Sequence, residues 1–176
     1  MNDTPEFSRP VRIDTLGSTP REMSIGANEK ERAALARRFG IIEIGRLAAE
    51  AALTRTGDHV IASGTLSAEV AQSCVATNVP VPERVEEKFR IEFRPQLART
   101  SEEDEIELSE GEMDVVFYNG SSVDLGEAVA ETLSLSLEPY PRALDAEALL
   151  REAGVKCEGE AGPFGALAAL WDKLKP

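Results

Sequence analysis

Only a few residues of the chain are of the types that support catalysis, and their spacing does not form a familiar catalytic arrangement. His59 is the single histidine and lies in the predicted turn Thr56-Gly57-Asp58-His59, with no serine or cysteine nucleophile pattern beside it. We therefore expect a surface histidine. Cys74 ends the apolar face of a predicted strand, which favours a buried, inert thiol. Cys157 stands far from it in the sequence, so the two cysteines predict neither a zinc site nor a disulfide framework.

The other motifs that would bind a cofactor or a metal are missing from the sequence. Neither Gly-x-Gly-x-x-Gly nor Gly-x-x-x-x-Gly-Lys-Ser/Thr occurs, so no loop for phosphates is predicted. The run of acids from Glu102 to Glu107 lacks the ligand order and central glycine of an EF-hand. Crowded, solvated acids also lack the burial that separates the pKa values of a catalytic carboxylate pair. The sequence predicts no catalytic residue, cofactor or metal, and favours a protein that is not an enzyme.

The acidic residues are concentrated in one part of the chain. Of 176 residues, 32 are acidic and 19 are basic, which gives a formal charge of −13. Residues 1–98 carry only −1 and residues 99–176 carry −12. We predict an acidic connector over about 99–112, containing Glu102, Glu103, Asp104 and Glu105. Its two interpretations are a solvated linker and a docking segment for basic parts of a partner protein.

A basic face is predicted on the clearest strand, Glu83 to Arg94. Apolar and charged residues alternate along it, and four cations fall on the outward side: Arg84, Lys88, Arg90 and Arg94. Such a face usually keeps a sheet soluble. The alternative is a contact with RNA, although the overall acidity opposes binding of a polyanion.

These segments are predicted to belong to one α+β domain covering residues 1–176. We expect an antiparallel sheet of about six strands with a β-hairpin around Gly57-Asp58, and a bulge or bend at Gly64. Three or so helices are expected to pack on the sheet, near residues 28–39, 124–137 and 163–174, with a short further helix over Asp145 to Ala153. Asn28 with Glu31, and Asp124 with Glu127, resemble the capping pairs that begin the first two helices. No membrane span or signal peptide is predicted, which favours a cytoplasmic protein.

Three segments resemble the YceD family, also called large ribosomal RNA subunit accumulation proteins. The first runs from Gln72 through Cys74 to Val81. The second and most specific is similar to the family's "Asp-Leu, then Glu-x-Leu-x-Leu, then Pro" block, here Asp124, Leu125, Glu131, Leu133 and Pro139. The third resembles the family's C-terminal Pro-Phe-x-x-Leu-x-x-Leu segment, beginning at Pro163 and Phe164.

The resemblance implies a bacterial cytoplasmic protein that supports the synthesis, processing or stability of large-subunit (23S) ribosomal RNA, with no established enzymatic reaction. Many family members carry Cys-x-x-Cys where this chain has Cys74 and Thr77, so zinc is not carried over. We expect a ribosomal protein or an assembly factor as the partner, with RNA contact through the N-terminal half as the other route. The alternative functions are a metal-dependent RNA-processing enzyme and a structural protein that dimerises through the Trp171 helix face; the oligomeric state stays open.

Overall fold

The computed structural model describes residues 5–96 and 114–155. Within them the chain forms an α+β fold, as predicted. The strands are β1 (Pro10–Arg12), β2 (Arg21–Gly26), β3 (Glu43–Thr56), β4 (His59–Ser73), β5 (Pro80–Pro95), β6 (Asp114–Tyr118) and β7 (Ser122–Asp124). The helices are α1 (Glu29–Phe39), α2 (Leu125–Ser136) and α3 (Ala146–Glu152). The predicted helix near 163–174 and the acidic connector lie outside the described residues.

The chain divides into two compact units, which are described separately. The first contains residues 1–72 and 82–138, and the second contains residues 73–81 and 139–176. The single-domain boundary at 1–176 stays a prediction. The first unit holds the sheet together with α1 and α2, and the described part of the second holds α3 and the turn that begins at Cys74.

The main sheet has five strands in the order β2-β3-β4-β5-β6, and a separate two-stranded sheet pairs β1 with β7. The β2–β3 and β3–β4 pairs are antiparallel, whereas β5 and β6 run parallel. The parallel pair departs from the expected antiparallel sheet. Its physical reason is the length of the connection between the two strands: 18 residues (96–113) separate β5 from β6, which is enough for a crossover.

The core lies on one face of the sheet, which we call the inner face. Alternate residues of β3 and β4, such as Leu47 and Leu66, are buried there together with Phe89 and Phe93 of β5. The two helices of the first unit cover this face with side chains that are also buried: Leu35 and Ala36 from α1, and Leu125, Val129 and Leu133 from α2. The opposite side of the strands, the outward face, carries the polar and charged residues.

Helix α1 begins and ends at the residues that the sequence predicts. The side chain of Asn28 accepts a hydrogen bond from the Glu31 backbone at 3.1 Å, and the Glu31 carboxylate accepts one from the Asn28 backbone at 2.7 Å. Gly40 ends the helix with a φ of 68°, a left-handed conformation that glycine adopts at low cost. These two signals set the bounds of α1, which packs against β3.

The β3–β4 hairpin is confirmed, but Gly64 does not form a bulge. Gly64 pairs directly with Ala51, and the irregularity in the ladder lies instead between Ile44 and Arg46. A Cβ at Gly64 would lie 2.0 Å from the carbonyl oxygen of Glu50. The residue is glycine because the backbone of β3 passes too close for any side chain.

Candidate interaction surface

The four predicted cations of β5 lie on the outward face of the sheet, and we call them the basic stripe: Arg84, Lys88, Arg90 and Arg94. Strand alternation places them opposite Val85, Phe89, Ile91 and Phe93, which are buried in the core. The structure therefore brings the predicted basic residues together on one strand and one face.

Carboxylates partly neutralise both ends of the basic stripe. Arg84 is 67% exposed, and its guanidinium nitrogens lie 3.6 Å from a Glu69 oxygen and 3.8 Å from a Glu86 oxygen. Arg94 donates to Glu92 at 2.6 Å. Among the residues that the structure describes, no carboxylate oxygen lies within 4.0 Å of the Lys88 ammonium group. Lys88 therefore contributes a cationic charge without a described counter-charge.

Glu92 is buried on the outward face, which the sequence pattern does not reveal. It is only 7% exposed, and the Nδ1 atom of His59 donates to its carboxylate at 2.6 Å. Hydrogen bonds from Arg94 and then from His59 hold the pKa of Glu92 below its ordinary value. His59 is a half-exposed residue at the start of β4, and its pairing with Glu92 depends on strand order, for which the sequence carries no local signal.

A shallow groove crosses the outward face beside Lys88. Its volume is about 480 Å³, and small residues of β3 and β4, including Ala48 and Ser67, line it together with charged side chains. These charged residues are Arg46, Glu50, Glu86, Glu87 and Lys88. Their mixed signs do not form a purely cationic site for phosphate.

The predicted acidic docking residues Glu102, Glu103, Asp104 and Glu105 lie outside the described residues. Their role in partner binding stays a prediction. Within residues 5–96 and 114–155, no group of three or more His, Cys, Asp or Glu side chains is placed to hold a metal ion. No helix in this described part is long and apolar enough to cross a membrane.

Cys74 is buried in the second unit, as predicted. It is fully covered, and the Ala143 backbone donates to its Sγ atom at 3.4 Å. This hydrogen bond, with a smaller contribution from Thr77, lowers the pKa of the Cys74 thiol to about 7. The backbone of Cys74 also closes a turn, accepting from Asn78 at 2.9 Å and donating to Val79 at 2.8 Å. Cys74 thus organises the turn between β4 and β5.

Asp124 joins the start of α2 to the N-terminal segment. Its carboxylate accepts from the backbones of Gly126 and Glu127 as a helix cap, and also from the Arg9 backbone at 2.7 Å and the Ser8 hydroxyl at 2.5 Å. Gly126 fits here because a Cβ would lie 2.2 Å from the carbonyl oxygen of Phe7. The most specific motif of the chain therefore begins with residues that hold the fold together.

The other motif residues divide into buried and exposed positions. Leu125 and Leu133 are completely buried in the core of the first unit. Glu131 is exposed on α2. Pro139 is also exposed, and it is the first residue of the segment 139–176 of the second unit. Pro163 and Phe164 lie outside the described residues. Among the described motif residues, Glu131 and Pro139 are thus the exposed ones, and their side chains do not pack in the core.

The comparisons with known proteins agree with the motifs. The family model described as "Large ribosomal RNA subunit accumulation protein YceD" matches residues 62–171, more than half of the chain. No curated protein and no solved structure matches the chain. The match covers the Cys74 turn, the basic stripe, the capped helix α2 and the C-terminal segment. The chain belongs to the YceD family, whose description names the accumulation of large ribosomal RNA.

Proposed function

We propose that this protein is a non-enzymatic factor that supports the synthesis, processing or stability of large-subunit ribosomal RNA through a protein partner. The family match supports the connection with large ribosomal RNA. We further propose that it acts in the bacterial cytoplasm and that its partner is a ribosomal protein or an assembly factor with a basic surface. The acidic connector is the proposed docking segment, because basic proteins are attracted to a dense run of carboxylates.

The observation that carries the choice of a protein partner is the pairing of the arginines in the less acidic half of the chain. Two carboxylate oxygens of Glu31 accept from Arg9 at 2.8 and 2.9 Å, and those of Glu127 accept from Arg38 at 3.0 and 2.7 Å. Arg12 is paired with Asp14 in the same two-bonded manner. Such bidentate pairs occupy the planar donors that would otherwise bind phosphate.

The neutralised arginines weaken the RNA route. To bind one of these guanidinium groups, an RNA phosphate would have to displace the carboxylate that already accepts its hydrogen bonds. A protein that neutralises few phosphates releases few counterions, and it therefore binds nucleic acid weakly. The formal charge of −13 adds a general repulsion of polyanions. A basic protein surface meets neither obstacle.

Affinity capture from cells, with and without nuclease, tests this proposal. We expect the full chain to retain the same basic partner after nuclease treatment. A variant with Glu102→Gln, Glu103→Gln, Asp104→Asn and Glu105→Gln is expected to lose most of that partner. Recovery that disappears with nuclease, and that the four substitutions leave unchanged, would contradict the protein route.

A control variant with the same change of charge separates local docking from general acidity. Its four substitutions lie at exposed acids elsewhere: Glu22→Gln, Glu29→Gln, Glu147→Gln and Glu152→Gln. We expect this control to retain the partner. Equal losses in both variants would show that net charge, and not the acidic connector, determines capture.

A further inference from the structure

Strand β6 forms one edge of the main sheet. It is the last strand in the order β2-β3-β4-β5-β6, so no described strand pairs with its second side. On its first side it pairs in parallel with β5, and the Gln96 backbone donates to the Tyr118 carbonyl at 2.9 Å. The backbone groups that face a neighbouring strand alternate along the chain, so those of Val116 and Tyr118 face β5. The N–H and C=O groups of Val115 and Phe117 therefore point to the open side.

The side chains along this edge are apolar and exposed. Val116 and Tyr118 pack against the core, so strand alternation directs Val115 and Phe117 to the outward face. There they are 37% and 54% exposed. Valine and phenylalanine favour strands, and β6 contains neither the proline nor the lysine that commonly protects an edge. The open edge thus combines four backbone groups that face no described strand with two exposed apolar side chains.

The opposite edge of the sheet, formed by β2, is protected. The Ala27 backbone donates to β3, so by alternation the groups of Glu22, Ser24 and Gly26 point away from the sheet. The Gly26 carbonyl accepts from the Arg9 guanidinium at 2.8 Å, and the exposed side chains of Glu22 and Ser24 are polar. Coverage and charge are devices that prevent the pairing of an edge with another strand. Of the two edges, β6 is therefore the one suited to accept a strand.

The charge of the chain selects the kind of strand that this edge accepts. Residues 114–138, which begin with β6, contain five acids and no lysine or arginine. Arg94, which lies opposite Phe117 on β5, is neutralised by Glu92 at 2.6 Å. The formal charge of −13 attracts a cationic segment and repels a second copy of this chain. The charges therefore favour a basic strand that belongs to another protein.

We propose that the open edge of β6 binds an extended basic segment of the partner protein, which adds an antiparallel strand to the sheet. Antiparallel pairing is the more stable arrangement per residue, and it lets a residue exchange two hydrogen bonds with the residue opposite. Apolar residues of the segment lie opposite Val115 and Phe117 and cover their side chains, while a basic residue lies opposite the exposed Asp114. The basic character of the segment rests on the proposed function, whereas the open edge does not.

Fluorescence anisotropy with a synthetic peptide tests this proposal on the purified full-length chain. The probe is the labelled heptapeptide Lys-Val-Lys-Val-Lys-Val-Lys, and two control isomers carry N-methyl groups on the valines or on the lysines. All three peptides have the same charge. N-methylation of the valines removes the donors that face Val115 and Phe117, so we expect about tenfold weaker binding. N-methylation of the lysines should change the affinity by less than about twofold, because those amides face away from β6.

Proline substitutions compare the two edges. Val115→Pro removes an N–H group that points away from β5, so it spares the β5–β6 ladder and should weaken binding of the unmethylated peptide about fivefold. Ser24→Pro makes the same change on β2 and should leave the affinity within about twofold. Circular dichroism verifies that both variants are folded. Phe117→Thr, which removes an apolar contact and keeps a strand-forming residue, should also weaken binding.

Equal affinities of the two N-methyl isomers, or equal effects of the two proline substitutions, would overturn the proposal, because the peptide would then bind through charge alone. A wild-type dimer in light scattering that Val115→Pro converts to a monomer would also overturn it and assign the edge to a second copy. Peptide binding at β6 by a chain that captures no basic partner would retain the strand-addition site and refute the proposed function. Capture that depends on Glu102 to Glu105, without a preference between the isomers, would refute this inference alone.

Discussion

Replacing Gly126 by alanine tests how tightly the start of α2 packs on the N-terminal segment. Within a helix, alanine is favoured over glycine by about 1 kcal/mol, so the local preference alone predicts a more stable protein. The structure predicts the opposite sign. A Cβ at this position would lie 2.2 Å from the carbonyl oxygen of Phe7 and 2.9 Å from the amide nitrogen of Arg9, far inside ordinary contact distance.

The magnitude follows from what must move to relieve this overlap. Both obstructing atoms belong to the backbone, so no side chain can rotate away, and α2 must shift from the N-terminal segment. Overpacking of this kind costs about 1–3 kcal/mol. The shift also stretches the 2.7 Å hydrogen bond from the Arg9 backbone to Asp124, at a further cost of about 1 kcal/mol. After the helical gain of alanine is subtracted, we expect a net loss of about 1–3 kcal/mol.

Urea unfolding followed by circular dichroism measures this loss. Gly126→Ala should lower the free energy of unfolding by about 1–3 kcal/mol, which lowers the urea midpoint by about 1 M when the slope is near 2 kcal/mol per M. Gly17→Ala is the control, because a Cβ there meets no atom within 4 Å; its effect should stay within about 0.5 kcal/mol. A Gly126→Ala protein as stable as the wild type would refute the packing argument.

Three other predictions concern single side chains. Asp124→Ala should lower the free energy of urea unfolding by about 2–4 kcal/mol through loss of the cap and of the part-buried Arg9 bond, whereas Asp145→Ala, which removes no cap bond, should stay within about 0.5 kcal/mol. The lowered pKa of Glu92 stabilises the fold above about pH 4.3, the ordinary glutamate value, and this stabilisation is lost as the pH falls through the folded pKa; Glu92→Gln should therefore flatten the decline of unfolding free energy with acid, and an unchanged decline would contradict the pairing. Native Cys74 should react with iodoacetamide at least tenfold more slowly than in urea, as followed by mass spectrometry, because burial outweighs its lowered pKa; equal rates would show that the turn is open.

Local signals in the sequence are sufficient to predict α1, α2 and the β3–β4 hairpin. Asn28 with Glu31 predicts the start of α1, and Asp124 with Glu127 predicts the start of α2. The structure confirms that the side chains of Asn28 and Asp124 cap these helices. The Gly57-Asp58 turn is likewise local, and the alternation of apolar residues in β5 is sufficient to place the basic stripe on one face.

Long-range pairing accounts for what the sequence did not predict. The parallel partner of β6 and the separate β1–β7 pair depend on the order of strands, which no short motif specifies. The burial of Glu92 depends on His59, 33 positions away and on the neighbouring strand. The Asp124 carboxylate accepts four hydrogen bonds, and two of them come from Ser8 and Arg9, which approach α2 only in the folded chain.

The central claim is that the acidic connector, and not the basic stripe, supports the accumulation of large-subunit ribosomal RNA. The most direct test is complementation of cells that lack the protein, measured as the ratio of large-subunit to small-subunit ribosomal RNA. Neutralising Glu102, Glu103, Asp104 and Glu105 should lower this ratio to that of the deficient cells, while changing Arg84, Lys88, Arg90 and Arg94 to glutamine should leave it near the wild-type value. Full activity of the acid-neutralised protein, with loss of activity in the glutamine-stripe protein at equal abundance, would contradict the claim.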